Sequence, residues 1–182
     1  MNVDLVTRSS SVIDDELWPV YEAVFGDAPT RTSWQEGTWD RHGVRDGFRL
    51  ALAHADHRLV GFAYGYTGQR GQWWTDRAAS VLAPEVARDW LGGHFEVVSL
   101  GVLADQRSRG LGSALLTHLL ADLPHERALL MTTADVADPA RRLYDRLGLD
   151  LLGPGLAADQ VILGRRHPAG TDLTGAPAAL LT

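Results

Sequence analysis

Arg107-Ser108-Arg109-Gly110-Leu111-Gly112 is the segment from which the fold of this chain can be read. An apolar run over residues 97–103 leads into it and has the character of a strand. Ser113-Ala114-Leu115-Leu116-Thr117-His118-Leu119-Leu120 follows and reads as the first turns of a helix. A strand, a glycine turn and a helix make an anion-binding device. The first N–H groups of the helix have no intrahelical partner and carry the positive end of the dipole. Gly110 and Gly112 leave room for a phosphate to approach the main chain, and Arg107 and Arg109 can add charge-assisted hydrogen bonds. The ligand implied is a phosphate-bearing one.

Working outward, residues 14–25 combine an acidic start, helical spacing and a glycine stop, which predicts a helix despite Pro19. Residues 27–47 read as loop plus a short helix. Segments 48–54 and 58–67 flank Ala55-Asp56-His57 as an antiparallel hairpin. Residues 68–93 show no strand pattern, only a helical one over 78–90. A strand over 94–103 precedes the glycine turn, and a helix over 113–121 follows it. Residues 128–133 predict a buried strand. Asp138-Pro139 opens a helix to about Leu147 with Gly148 beyond its end. Leu151-Leu152 and residues 160–164 read as short strands around Gly153-Pro154-Gly155. This order predicts an α/β domain with a mixed sheet over residues 1–166, and a loose tail over 167–182.

Bulk properties remove several chemistries. At 182 residues the chain has the length of one domain with a core that needs no covalent staple. With no cysteine there are no disulfides, thiolate metal sites or cysteine nucleophiles. All 17 basic residues are arginine, so a lysine Schiff base and the lysine-bearing P-loop are absent. The formal charge of −6 argues against nucleic acid and suits a cationic substrate. Neither a signal peptide nor a membrane-length apolar run is evident, which leads us to expect a cytoplasmic protein. His42, His54, His57, His118, His125 and His167 lack metal-ligand spacing, so no metal is expected. The lysine-free, arginine- and alanine-rich composition points to a GC-rich bacterial genome.

Two motifs in order give a family resemblance. Arg107, Gly110 and Gly112 fill the fixed positions of [Q/R]-x-x-G-x-[G/A], and Val102 matches the approach to it. Ala104 replaces a usual proline and Ser108 a common glycine. Downstream, Ala140, Leu143, Tyr144 and Gly148 match N-x-x-A-x-x-L-Y-x-x-x-G-F, with Leu149 for the final aromatic and Ala137 where asparagine is expected. The chain thus resembles the GCN5-related N-acetyltransferase (GNAT) superfamily, clearly over residues 95–150.

That resemblance implies a mainly antiparallel sheet flanked by helices, with one splayed strand pair holding acetyl-CoA. Pantetheine would pair with the backbone of Leu100, Gly101 and Val102. The pyrophosphate would lie on N–H groups of Arg107, Ser108, Arg109, Gly110, Leu111, Gly112 and Ser113. Asp138 could accept a cofactor hydrogen bond, and Arg142 or Arg141 could reach phosphate, successive helix positions allowing one of them to face the site.

Tyr144 takes the family's tyrosine position and would return a proton to the CoA sulfur; otherwise it packs on the sheet. Strand alternation places His94, Glu96, Val98, Leu100 and Val102 on one face, with the two ionisable groups at its lip. Glu96 is the candidate base, with a pKa raised by partial burial, and His94 is the substitute. Many relatives use a water chain instead, which would leave both as bystanders. Trp73 and Trp74 form an acceptor wall or pack helix 78–90 onto the sheet. The expected reaction is acetyl transfer from acetyl-CoA to a primary amine by direct attack, a small cationic amine being favoured and a protein amine left open. Relatives often pair through sheet edges or helices, so a homodimer is an option. The competing readings are a non-catalytic acyl-CoA-binding module and transfer of a longer acyl group.

Overall fold

The structure, a computed structural model, describes residues 2–6 and 11–167. A seven-stranded sheet is the frame, built from β1 (Asn2–Val6), β2 (Arg49–Ala55), β3 (Arg58–Gly68), β4 (His94–Val102), β5 (Arg127–Thr133), β6 (Asp150–Pro154) and β7 (Gln160–Arg166). Its order is β1-β2-β3-β4-β5-β7-β6, and every neighbouring pair is antiparallel except β4 with β5. The expected hairpin is β2 and β3, closed by Asp56 and His57 at φ 49° and 61°. Two positive φ values match the right-handed strand twist that a two-residue hairpin turn must accommodate.

Helices α6 (Leu111–Leu120) and α7 (Pro139–Arg146) cover one face. Leu111, Leu115, Leu116, Leu119 and Leu120 of α6 are buried against Val60, Ala63, Phe95 and Val97 of the sheet. Each contributes about 1.5–3 kcal/mol of transfer free energy. The other face carries two separate cores. Under α1 (Ser11–Val24), α2 (Arg31–Trp34) and α3 (Asp40–Gly43), aromatic rings pack on Phe62, Tyr64 and Tyr66 of β3. Under α4 (Trp73–Val81) and α5 (Pro84–Trp90), a smaller core forms on Leu129 and Ile162.

Four sequence expectations need correction. β1 was not anticipated; it pairs along β2 from Asn2↔His54 to Val6↔Leu50. Residues 27–47 are more helical than expected, because a π-helical turn, Gln35–Trp39, joins α2 to α3. Its wider i→i+5 closure brings Trp34 and Trp39 over one another, rings 5.3 Å apart and 16° from parallel. The single helix expected over 78–90 is two, since Pro84 cannot continue α4 and instead occupies the first turn of α5. Gly153 and Pro154 belong to β6 rather than to a turn.

The fourth strand decides the site. It pairs with β5 at two positions only, Phe95↔Ala128 and Glu96↔Leu129, and beyond them the pairing stops. Across its other edge, Tyr64↔Ser99 is followed by Gly65↔Val97, so Val98 is an extra residue, a β-bulge. Among the described residues, no helix is long and apolar enough to cross a membrane, and no group of three or more His, Asp or Glu could hold a metal ion. The tail expected over 167–182 lies, apart from His167, outside the described residues.

Candidate active site

A cavity of about 550 Å³ opens at the C-terminal half of β4 and runs between the start of α6 and α7. Leu100, Gly101 and Val102 of the strand line it, with Arg107, Ser108, Gly110, Leu111, Gly112 and Ser113 of the turn and helix start. Gly110 caps α6 at φ 80°, and no side chain caps the helix, so its first N–H groups face the cavity rim unspent. An added Cβ at Gly112 would lie 2.7 Å from Leu143 Cδ1, which shows how closely α7 approaches the loop. Ser108 takes φ 62°, a left-handed conformation that glycine would adopt without strain.

Charge at this cavity is cationic. Arg107, Arg142 and Arg146 line it, against Asp138 as the acid in the lining. Arg107 Nε donates to the Val102 carbonyl at 3.1 Å and ties the loop to the strand end. Arg142 faces the cavity, whereas its neighbour Arg141 is buried, its Nε donating to Asp145 at 3.0 Å. Asp138 Oδ1 accepts from the Ala140 N–H at 2.7 Å and caps α7. Arg109 is exposed and does not line the cavity.

A second cavity, of about 300 Å³, lies where the aromatic core and the α4–α5 core meet. His42, Arg45, Tyr66, Gln72, Trp73, Trp74 and Met131 line it with Glu96, Val97 and Val98 of β4. Consecutive stretches of one strand therefore serve two cavities, residues 96–98 the second and 100–102 the first.

Here the expectation that Glu96 shares a face with Leu100 and Val102 is overturned. The extra residue Val98 resets the alternation, so Glu96 sides with its cross-strand partner Tyr66 and the aromatic core. Leu100 and Val102 side with α6. Glu96 is 4% exposed. Burial pushes its carboxyl up to about 7, an effect that the Arg45 charge and a hydrogen bond from Tyr66 partly oppose. The Tyr66 hydroxyl donates to Oε1 at 3.5 Å, and Oε2 is buried with no partner.

Tyr144 is buried in the α6–α7 core and lines neither of these cavities. Burial first, and the nearby Asp138 carboxylate second, push its phenol up to about 12, which keeps the hydroxyl protonated. His94 is fully buried, and also lines neither cavity. Its Nδ1 accepts from the Gly92 N–H at 3.1 Å, and its ring fills the space left by Gly68. Burial and the Arg127 charge lower its pKa to about 4, so it stays neutral. The placement is that of a packing histidine, its ring centre 5.9 Å from that of Trp74. Trp73 and Trp74 line the second cavity.

Arg45, Tyr66, His42 and Arg146 are site residues that the sequence reading missed. Tyr66 was recoverable: a hairpin extended to pair with the next strand places it opposite Glu96. Arg45 carries no local signal, because it follows a helix whose π turn is itself unmarked.

Comparison with known proteins agrees with this frame. The sequence pattern of the acetyltransferase (GNAT) family matches residues 11–149. The chain belongs to the GNAT family. The "GCN5-like protein acetyltransferase Rv2170" of Mycobacterium tuberculosis is 37% identical over 122 residues, covering 60% of this chain and 59% of that protein. The chain thus spans less than two thirds of that relative's length. Among solved GNAT-like folds, an acetyltransferase from Thermus thermophilus superposes with TM-score 0.66 at 15% identity, over 92% of this chain and 98% of that one. The PaiA N-acetyltransferase of Thermoplasma acidophilum, solved in complex with coenzyme A, gives 0.61 at 14% identity, over 92% and 100%. GNAT membership supports an acyltransferase as the enzyme class.

Proposed function

We propose that this chain is an acetyl-CoA-dependent N-acetyltransferase that passes the acetyl group to a primary amine by direct attack. One observation carries the reading. A buried carboxyl with a pKa of about 7, Glu96, lies on the strand that serves both a cationic cavity and an aromatic-walled one.

The first cavity suits coenzyme A. Unspent N–H groups at the start of α6 and the guanidinium groups of Arg107, Arg142 and Arg146 match phosphate. The β4 edge beyond Glu96, unpaired with β5, can accept the extended pantetheine arm as an added strand would be accepted. When bound, acetyl-CoA supplies an acyl group activated as a thioester.

The acceptor amine is assigned to the second cavity. Near neutral pH Glu96 is poised between its two forms, so it can take the amine's proton without holding it too tightly. Tyr144 stays protonated and is assigned the donor of the proton that the leaving thiolate takes up. The Asp138 carboxylate that helps raise this phenol's pKa is part of the first cavity's lining, which supports the role.

Thiol release from acetyl-CoA in the presence of an amine panel tests this. The panel spans amino acids, polyamines, aminoglycosides and peptides with free N-termini or lysines. Turnover with at least one amine is expected, and in Tyr144→Phe turnover should fall by about 10–100-fold while CoA affinity changes little. CoA binding without turnover across the panel would favour a non-catalytic binding module.

A further inference from the structure

The acceptor cavity has two buried polar atoms without a hydrogen-bond partner, and they are of opposite kinds. Glu96 Oε2 is an acceptor and Arg45 Nε a donor. They come from different parts of the chain, β4 and the turn after α3, and a single ring organises both. Tyr66 donates its hydroxyl to Glu96 Oε1, and the Arg45 guanidinium carbon lies 4.8 Å from the centre of the same ring. Among the described residues, Arg45 forms no ion pair, which is unusual for a guanidinium beside a carboxyl. A buried donor left unpaired is costly, and the cost is relieved if a ligand completes it.

The rest of the wall carries no second acid. His42 is neutral, its pKa lowered to about 4 by burial and by Arg45 and Arg41. Gln72, Trp73, Trp74 and Met131 are uncharged. A polycationic acceptor would meet one carboxyl and one fixed positive charge, which is poor complementarity. An amine with an anionic group close by would satisfy both orphaned atoms at once.

Resting on the acetyltransferase reading above, we propose that the acceptor is a small zwitterionic amine of the α-amino-acid class. Arg45 binds its carboxylate, Glu96 receives its amine, and Trp73 and Trp74 flank an apolar or planar side chain. This departs from the polycation that the net charge of the whole chain favours. Charge at the cavity, rather than over the surface, selects the ligand.

The test is a set of matched acceptors: free L-tryptophan, L-phenylalanine, L-leucine and L-methionine, their carboxamides, and spermidine. Each is assayed by thiol release with wild type, Arg45→Gln and Arg45→Lys. The readout is the ratio of kcat/KM for acid over amide, which does not depend on the fraction of protein that is folded. We expect that ratio to be at least ~10 for the best pair in wild type, near 1 in Arg45→Gln through a rise in KM for the acid, and partly restored in Arg45→Lys. A wild-type ratio at or below 1 would overturn the proposal, since amides mimic peptide N-termini; so would a preference for spermidine, or a ratio unchanged in Arg45→Gln. Bound CoA with no turnover on any amine would overturn the acetyltransferase reading, and this assignment with it.

Discussion

Glu96 concentrates the proposed chemistry and the cost of this site in one residue. Its folded pKa is raised from 4.5 to about 7, so between these values the folded chain holds a proton that the unfolded chain has lost. Stability from this group is therefore fully present below pH 4.5 and is lost as pH rises through about 7. At roughly 1.4 kcal/mol per pH unit, the loss is about 3 kcal/mol. The same shift gives the carboxylate a basicity matched to the proposed role of general base. Glu96→Gln should separate the two effects. We expect thermal stability at pH 8 equal to or above wild type. In kcat/KM we expect a loss of about 10²–10³-fold at pH 7 and disappearance of the limb near pH 7 that wild type shows. Unchanged kcat/KM with the same limb would assign the proton to a water chain instead.

At the scale of elements, the bulge in β4 is what turns Glu96 toward the second cavity, the proposed acceptor site. It depends on Gly65, where an added Cβ would lie 2.3 Å from the Glu96 carbonyl oxygen and 2.7 Å from the Phe95 ring. The first of these is backbone and cannot swing aside. Gly65→Ala should therefore lower stability by about 1–3 kcal/mol in denaturant or thermal melts. It should reduce turnover at least tenfold yet spare CoA affinity, because Leu100–Val102 lie past the bulge. Wild-type turnover in Gly65→Ala would show that the bulge has no part in aiming Glu96. The glycine turn, the hairpin and the tyrosine helix were legible in the sequence because their signals are local: αL glycines, capping residues and alternating apolar runs. The bulge was not, because it is set by what faces Gly65 across the strand pair. Nor was the π turn, whose closure goes with a tertiary stacking of Trp34 on Trp39 that no local pattern announces. The glycine turn that lines the first cavity could thus be located in the sequence, while Arg45, placed by that helical run, stayed hidden.

For the whole molecule, two parallel residue pairs are all that join β1–β4 to β5–β7 through the sheet. The split proposed to admit coenzyme A is also the seam between the halves. On one side α6 packs across β1 to β4, and on the other α7 meets β5. The cationic cavity is walled by α6 and β4 from the first half and by α7 from the second. A ligand filling it replaces missing strand pairing with contacts to both, so binding and cohesion of the fold should be linked. At a CoA concentration of 100 times its Kd, the stabilisation is ~2.7 kcal/mol. For a chain of this length that corresponds to a rise in Tm of roughly 5–10 °C. Amide exchange should slow on both sides of the seam, over residues 97–102 and 130–133. Protection confined to residues 97–102 and the start of α6 would mean that the ligand docks on one half without bridging the split. In that case the acetyl group would have no fixed position relative to Glu96.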